Sequence, residues 1–418
     1  MSDHEPWHAV PARRHDASPL STAGAQVPLG KHRLAPAPDR QPTAAPDAGG
    51  VVPADPEGPW PRPVAPGTWV APGGRGWVRA FTVWSERVPE RGEDAEPFVA
   101  HHWETRQGLL AVFDGSGGAG SAPAWQSPAG SPRTGAWVGA RVARLATDCW
   151  FREVALDAEQ AEPESLHGYL EYFLSKAPQR RSKIGGTMRR QLPTTLAGVH
   201  YRLRDDESVE LQPLWAGDSR AYTLHPRDGL QVLTRDHTRE SDALELLRSD
   251  PPMTNLVCAD RAFVVDAQRL APFPLPLVLV AATDGFFGYV NTPGDFEAVL
   301  LETLQRAADE QEWADLVCRE VRGYTADDAS LALVALGHQS FAALRDLYAP
   351  RLVELRDRLG RNRPRALDRS PRAVEGGAHV PEDPAQLGSR VRAWQDQSWH
   401  AYRGAYETYL PASSEEHA

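Results

Sequence analysis

Short apolar runs bounded by glycine and polar residues fill the chain from about residue 67 to residue 338. Runs of this length that end in turn residues predict β-strands. The clearest are GLLAVFDG (108–115), TLAGVHYRL (195–203), LQPLWAGD (211–218), LPLVLVAATDG (275–285) and SLALVALG (330–337). The tripeptide Arg227-Asp228-Gly229 lies between two further runs and predicts a hairpin turn.

Helical periodicity interrupts the strands at 133–152, 163–176, 295–307 and 311–322. In the first of these helices one apolar face is predicted to carry Val138, Val142, Leu145 and Cys149. Many strands in succession, with helices inserted rather than strictly alternating, favour sheets flanked by helices over a doubly wound parallel sheet. The predicted fold class is therefore α+β.

The two ends of the chain differ from this middle part, which we bound at residues 67–338. Residues 1–66 hold 14 of the 37 prolines and have no apolar period, which predicts a disordered tail. Residues 339–418 are predicted to form a helical extension, in which a linker at about 360–387 separates two helices. The first helix has an apolar stripe of Phe341, Leu344, Leu347, Tyr348, Leu352, Leu355 and Leu359. The second carries Trp394, Trp399, Tyr402, Tyr406 and Tyr409, which we expect to dock onto the protein's own core rather than to bind a partner.

Charge and composition narrow the function further. The chain has 56 acidic and 45 basic residues and a net charge of -11, which disfavours nucleic acid and membrane surfaces as partners. Apolar stretches of 18 residues and the features of a secretion signal are both missing, so a cytoplasmic location is expected. The three cysteines are widely spaced and are predicted to be buried, reduced thiols.

Four acidic residues share one setting, at the end of an apolar strand and beside a turn. They are Asp94, Asp114, Asp284 and Asp327. Each Asp alone is typical of a turn. If several such strand ends converge, their carboxylates repel one another unless cations lie between them. Because oxygen ligands suit hard divalent ions, the set predicts a site for Mg²⁺ or Mn²⁺.

The sequence around these residues forms an ordered series of motifs. The series is Gly92-Glu93-Asp94, Asp114-Gly115-Ser116-Gly117-Gly118, Pro193-Thr194-Thr195-Leu196, Gly217-Asp218-Ser219-Arg220-Ala221-Tyr222 with Leu233-Thr234-Arg235-Asp236-His237, Ala282-Thr283-Asp284-Gly285, and Asp327-Asp328-Ala329-Ser330. In order and wording it resembles the PP2C (PPM) family of metal-dependent Ser/Thr protein phosphatases, of the bacterial type, over roughly residues 75–337. The resemblance implies a sandwich of two antiparallel sheets with helices outside.

The resemblance also implies roles for individual residues. The four aspartates would hold two Mn²⁺ or Mg²⁺ ions together with the Gly115 carbonyl, and Asp218 would help to hold a third. Asp114 and Asp284 would be the central catalytic residues. The implied reaction is hydrolysis of phosphoserine or phosphothreonine in proteins by a water that the two metals share. The implied partner is a phosphorylated protein, a Ser/Thr kinase or its targets.

Three positions depart from the family pattern. Ser116 stands where well-studied eukaryotic members have a histidine proposed as a general acid, and Asp328 stands where an asparagine is usual, so that negative charge is added beside the metals. Pro89 occupies the expected place of the arginine that grips the substrate phosphate. We therefore predict that Arg87 or Arg91, whose guanidinium groups suit phosphate, takes that role.

Other conspicuous residues receive different interpretations. The stretch from Arg239 to Arg261 lies where bacterial members carry a mobile flap, and we predict that it shapes substrate choice. His101 and His102 would point to opposite sides of a strand and are interpreted as structural or solvent-facing rather than as ligands. Thr195, Ser219 and Arg220 are interpreted as local supports.

Two functions from different classes remain open. The favoured one is a protein phosphatase, because a cluster of desolvated carboxylates is costly and a scaffold has no need to keep it. The alternative is a pseudophosphatase that binds phosphoproteins or acts as a scaffold. The three departures from the family pattern and the aromatic C-terminal helix support that alternative.

Overall fold

The computed structural model describes residues 69–70, 73–75, 77–127, 130–156, 161–178, 189–249, 251–367 and 384–412. The predicted disordered tail, residues 1–66, lies outside the described residues, as does most of the predicted linker.

The described residues form fifteen strands, and the long ones coincide with the apolar runs of the sequence. In chain order they are β1 (Trp69–Val70), β2 (Gly73–Arg75), β3 (Val78–Ser85), β4 (Phe98–His102), β5 (Gln107–Val112), β6 (Pro123–Gln126), β7 (Pro132–Thr134), β8 (Leu196–Leu203), β9 (Ser208–Ala216), β10 (Arg220–His225), β11 (Gly229–Val232), β12 (Asp266–Ala267), β13 (Leu270–Pro274), β14 (Leu277–Ala282) and β15 (Ala329–Leu336). The predicted hairpin is confirmed, because β10 and β11 pair across residues 226–228 and Gly229 adopts a positive φ of 77°.

The same residues form nine α-helices, which include every predicted one, and a short 3-10 helix at Arg365–Leu367. The α-helices are α1 (Gly117–Gly120), α2 (Gly135–Leu156), α3 (Pro163–Lys176), α4 (Ala243–Arg248), α5 (Asp284–Phe287), α6 (Pro293–Arg306), α7 (Glu310–Arg322), α8 (Phe341–Gly360) and α9 (Pro384–Tyr406). Side-chain caps fix several of their starts. The Asp309 carboxylate accepts the Glu312 N–H at 2.8 Å before α7, and Thr292 with Asp295 forms a capping box at α6.

The strands build two antiparallel sheets. The first has the order β1-β4-β5-β8-β9-β12, with β13 also paired to β9, and the second has the order β11-β10-β14-β15-β3-β2. The short strands β6 and β7 pair separately. All these pairings are antiparallel.

Three buried apolar clusters hold the layers together. One lies between the sheets and includes Leu110 and Leu279. A second packs α2 and α3, with Trp150, onto the outer face of the first sheet. The third packs α6 to α9, with Trp313 and Trp399, onto the outer face of the second sheet. The order of layers is helices, sheet, sheet, helices, and this confirms the predicted α+β sandwich.

The helical extension packs onto the second sheet's core as predicted. Trp394, Trp399, Tyr402 and Tyr406 of α9 are all buried, and Tyr409 packs edge-on against Phe273 at 4.9 Å between ring centroids. The stripe on α8 is buried except at Leu347, which is 38% exposed. No helix within the described ranges is long and apolar enough to cross a membrane.

One residue of a predicted helix face was wrong, whereas Val142 packs against the core as predicted. On α2 Val138 and Cys149 are buried, but Leu145 is 48% exposed. The residues buried against the sheet include four alanines, Ala136, Ala140, Ala143 and Ala146. Small side chains let this helix lie close to the sheet, and the buried face is centred on them, so that Leu145 falls outside it.

Candidate metal centre

Asp114 lies two residues after the end of β5, and neighbouring motifs fix its backbone. Its carbonyl accepts hydrogen bonds from the Thr195 N–H and the Thr194 hydroxyl, both at 2.8 Å. Its own N–H donates to the Thr195 hydroxyl oxygen at 3.2 Å, and that oxygen lies 2.7 Å from the Ser219 hydroxyl. Thr195 and Ser219 are therefore supports, as predicted.

Two glycines let Asp94 approach Asp114. A Cβ at Gly115 would lie 2.6 Å from the Glu93 carbonyl oxygen, and one at Gly117 would lie 2.0 Å from the Glu93 carboxylate. Only glycine lets the turn after β5 pack so closely against residue 93. The Ala95 N–H also donates to the Phe113 carbonyl at 3.0 Å, so the two acidic motifs lie side by side.

The ends of β14 and β15 bring in the other aspartates. Asp284 is the first residue of α5, just after β14. The Thr283 N–H donates to the Ser330 carbonyl, and the Thr283 hydroxyl oxygen accepts from the Ser330 N–H, both at 2.9 Å. The same hydroxyl donates to the Asp94 carboxylate at 3.1 Å. A Cβ at Gly285 would lie 1.9 Å from the Asp328 carbonyl oxygen, so glycine is needed for this close approach.

The aspartates interact strongly with one another. Burial, followed by the charges of Asp328 and Asp284, raises the pKa of Asp94 to about 8. Burial and the neighbouring carboxylates, Asp218 and Asp327 among them, hold the pKa values of Asp114 and Asp284 well above the usual range. The Asp114 side chain shares hydrogen bonds with those of both Asp94 and Asp284. The structure thus brings all five predicted aspartates within electrostatic range.

The chemistry of these donors fits a hard divalent cation. The cluster consists of carboxylates beside the backbone of Gly115, and its members destabilise one another's charged forms, a cost that a cation would remove. Within the described part of the chain, no three His, Cys, Asp or Glu side chains stand ready to hold one ion. The ligand set stays a prediction.

Asp328 has a role that the sequence did not indicate. Its two carboxylate oxygens accept the backbone N–H groups of Arg87 and Glu93, each at 2.7 Å. Asp328 therefore fastens the loop that leads into Asp94. Its charge also contributes to the raised pKa of Asp94, in line with the predicted added negative charge.

The two arginines proposed to bind phosphate lie in this fastened loop. Both are exposed, and the Arg91 N–H closes a turn on the Val88 carbonyl at 3.0 Å. Burial, together with the charge of Asp327, raises the pKa of Tyr289 to about 12, and Arg87 opposes that shift. Arg87 is therefore within electrostatic range of Tyr289 and Asp327. Phosphate binding by either arginine stays a prediction.

A cavity of about 360 Å³ opens beside the cluster. Asp218, Asp284 and Asp327 line one wall together with Tyr289. Another part of the wall is formed by Leu246 to Ser249 and Pro251. These residues belong to the predicted flap, 239–261, which therefore borders the acidic cluster.

Residues of the two motifs at 217–222 and 233–237 form hydrogen bonds beside this cavity. The Arg220 guanidinium donates to both carboxylate oxygens of Asp236, at 2.7 and 2.8 Å, and lies 4.3 Å from the Phe287 ring centroid. The His237 ring accepts the Gly217 N–H at 2.9 Å and contacts Asp266 at 2.9 Å. The predicted supporting role of Arg220 is confirmed.

The remaining candidate residues lie away from the cluster. His101 and His102 are buried, and they hydrogen bond with Tyr201 and Thr105 at 3.2 and 2.9 Å. Their structural interpretation is confirmed. The three cysteines are free; Cys149 and Cys258 are buried and Cys318 is partly buried, and burial raises the pKa of Cys149 to about 12.

Comparison with known proteins gives only distant likenesses. No family model and no curated protein matches the sequence. Among solved structures the chain is similar to PppA of Pseudomonas aeruginosa, a key regulatory component of T6SS (20% identity, 62% of this chain and 98% of that chain, TM-score 0.41). It is also similar to the serine/threonine phosphatase Stp1 of Staphylococcus aureus (15% identity, 64% and 97%, TM-score 0.43). A third is the PPM Ser-Thr phosphatase MsPP of Mycobacterium smegmatis (14% identity, 62% and 99%, TM-score 0.39). Two of these three neighbours are Ser/Thr phosphatases, but at these values none of the three assigns a residue or an activity to this chain.

Proposed function

We propose that this chain is a divalent-cation-dependent phosphatase that hydrolyses phosphoserine and phosphothreonine in proteins. The observation that supports it most directly is the convergence of Asp94, Asp114, Asp218, Asp284 and Asp327 beside an open cavity. Strongly raised carboxylate pKa values in a cleft are typical of functional sites. The motif resemblance supports the finer assignment to phosphorylated proteins.

In this proposal the five aspartates of the cluster have different roles. Asp114 and Asp284 lie at its centre and would hold Mn²⁺ or Mg²⁺ with Asp94 and Asp327, while Asp218 would help to hold a further ion. Bound cations would supply a water of lowered pKa and neutralise charge on the phosphoryl oxygens. The protein itself supplies the placement, because Thr195, Thr283 and Asp328 fix the backbone on which the ligands stand.

Residues at the edge of the cavity would contact the substrate. Tyr289 is 38% exposed, lines the cavity, and its hydroxyl lies 3.5 Å from an Asp327 carboxylate oxygen. Arg87 lies within electrostatic range of Tyr289 and would attract the phosphate dianion. The wall formed by Leu246 to Ser249 and Pro251 would contact the polypeptide that carries the phosphate.

The test is hydrolysis of p-nitrophenyl phosphate and of a phosphothreonine peptide by the purified chain, with Mn²⁺ and with EDTA. We expect turnover only with Mn²⁺, and a loss of at least about 10³-fold in Asp114→Asn, as for removal of a central electrostatic catalyst. Asp357→Asn makes the same chemical change on an exposed face of α8 and should retain full activity.

The pseudophosphatase alternative predicts a different pattern. A wild-type chain that binds the phosphopeptide in Mn²⁺ but does not turn over either substrate would reject the enzyme and support the binding module. Isothermal titration with the same peptide separates the two outcomes.

A further inference from the structure

The C-terminal helix α9 holds both ends of the short helix α4, which forms one wall of the candidate cavity. At the N-terminal end of α4 the two oxygens of the Asp242 carboxylate bind different helices. One of its oxygens caps α4 by accepting the N–H groups of Leu244 and Glu245, at 2.9 and 3.2 Å. The other accepts the Trp399 indole N–H at 3.1 Å and an Arg403 guanidinium N–H at 2.8 Å.

At the second end Arg248 reaches across to α9. Its guanidinium donates to the Asp396 carboxylate at 2.7 Å and to the Gln395 side-chain oxygen at 3.3 Å. The Gln395 side-chain nitrogen in turn donates to the Asn291 carbonyl at 2.8 Å. Asn291 lies two residues after Tyr289, which lines the cavity, so Gln395 connects α4 with the segment next to Tyr289.

The two helices are anchored unequally. In α9 the side chains of Trp394, Trp399, Tyr402 and Tyr406 are buried in the core. In α4 only Ala243 and Leu244 are buried, and Arg248 is exposed. A well-anchored helix therefore sets the position of a weakly anchored one. Tyr406 also contacts the cavity residue Arg220, at 3.4 Å from its hydroxyl to the guanidinium.

We propose that α9 fixes the width of the candidate cavity and thereby determines specificity for phosphorylated polypeptides, with Asp242 and Gln395 as positioning residues. This inference rests on the proposed phosphatase function. A wall that is already ordered costs less conformational entropy when an extended substrate binds along it. A small phosphate ester that touches only the acidic cluster does not benefit from that wall.

The decisive variant is Asp242→Asn in the full-length chain. Asparagine is also a good N-cap, so the bonds to the start of α4 are kept. Its amide nitrogen, however, faces the donors of Trp399 and Arg403. Gln395→Ala, at a partly exposed position, breaks the second connection independently. His400→Gln, on the exposed side of α9, is the matched control.

Kinetics in Mn²⁺ give the first readout. In Asp242→Asn and Gln395→Ala we expect KM for a phosphothreonine peptide to rise about tenfold, the effect of one lost charge-assisted or bridging hydrogen bond. For p-nitrophenyl phosphate both kcat and KM should stay within about twofold of wild type. A peptide KM that is unchanged or lower, or an equal loss with both substrates, would overturn the proposal.

Amide hydrogen exchange of residues 243–249 gives a second readout that does not depend on activity. We expect exchange about tenfold faster in Asp242→Asn than in wild type or His400→Gln. If the wild-type chain hydrolyses neither substrate, the phosphatase assignment fails and this readout decides alone whether α9 holds the wall. Equal exchange rates would show that it does not.

Discussion

The Asp114 carboxyl group interacts with several other carboxylates of the cluster. Burial raises its pKa well above 3.8 and the carboxylates of Asp94, Asp218 and Asp327 raise it further. A carboxyl group with a raised folded-state pKa stabilises the fold only while it is protonated, and that stability is lost as the pH rises through the folded-state pKa. At neutral pH the unfolded chain is ionised at these positions whereas the folded cluster still holds protons, and this difference destabilises the cation-free protein.

Asp114→Asn should remove part of this destabilisation without changing the shape of the side chain. In EDTA at pH 7.5 we expect the Tm to rise by a few degrees, since about 1 kcal/mol corresponds to roughly 2–4 °C in a chain of this size. In Mn²⁺ the wild type should gain stability and the variant should not. Thermal unfolding followed by circular dichroism measures both, and a variant with lower Tm in EDTA that still responds to Mn²⁺ would contradict the cluster's role.

Asp328 acts on the cluster through the backbone. Asp328→Ala leaves the N–H groups of Arg87 and Glu93 without their carboxylate acceptor, and Glu93 directly precedes Asp94. We expect a loss of about 1–3 kcal/mol in the free energy of unfolding and weaker Mn²⁺ binding. Urea denaturation and a Mn²⁺ titration check these effects, with Asp357→Ala as the exposed control. An unchanged Mn²⁺ affinity would mean that the loop does not position Asp94.

At the scale of elements, the apolar runs and helical periods predicted which segments form strands and helices. Helix α3 (163–176) coincides with its predicted range, and α6 and α7 begin within two residues of theirs. These predictions succeed because burial on one face leaves a period in the sequence. The failure at Leu145 has the complementary cause: the alanines of α2 are buried but hardly contribute to an apolar stripe.

The acidic cluster was predictable in its members but not in its supports. Asp94, Asp114, Asp284 and Asp327 could be identified because each lies near one end of a strand and in a recognisable motif. The bonds from Asp328 to residues 87 and 93, and from Asp242 to α9, join segments far apart in the chain. No local pattern marks such partners, because they depend on how the finished layers meet.

Glu297 is a buried charge that the sequence gives no reason to expect. Its carboxylate binds the Arg351 guanidinium through both oxygens, at 2.6 and 3.1 Å, and accepts the Tyr402 hydroxyl and the Leu230 N–H. It thus joins α6, α8, α9 and β11 at a point that is fully buried.

Removing one partner of this network should be costly. Glu297→Ala leaves the Arg351 charge buried without its main partner, and we expect a loss of about 3–5 kcal/mol in the free energy of unfolding. Glu354→Ala, which removes only the exposed partner of Arg351 at 3.1 Å, should cost less than about 1 kcal/mol. Urea denaturation of the two variants decides this, and similar losses would show that the buried network adds nothing special.

For the whole molecule, the C-terminal segment is part of the folded unit. Helices α8 and α9 share one apolar core with the second sheet, and residues 409 and 411 accept side-chain hydrogen bonds from Gln268 and Arg235 at 3.0 and 2.6 Å. The outer layer of the sandwich thus reaches from α6 to the end of the described chain. The stability of the sandwich and the shape of the cavity are therefore coupled through this layer.

Three histidines distributed through the molecule make its stability depend on pH. Burial lowers the pKa values of His101, His200 and His338 from 6.5 to about 4 each. Between pH 6.5 and 4 the unfolded chain binds more protons at these positions than the folded chain does. Their contribution to stability is therefore present above pH 6.5 and is lost as the pH falls toward 4.

His338 is suited to test this effect because it lies outside the acidic cluster. Its ring lies near that of Tyr348, at 6.1 Å between ring centroids. Its Nε2 is buried and has no hydrogen-bond partner in the described structure. His338→Phe keeps an aromatic ring there and cannot be protonated. We expect the free energy of unfolding between pH 7 and pH 4.5 to fall less in this variant than in wild type, by up to about 3 kcal/mol. Urea unfolding at both pH values measures the difference. Equal pH dependence in the two proteins would mean that His338 is protonated as easily in the folded chain as in the unfolded one, and burial would then not control its charge.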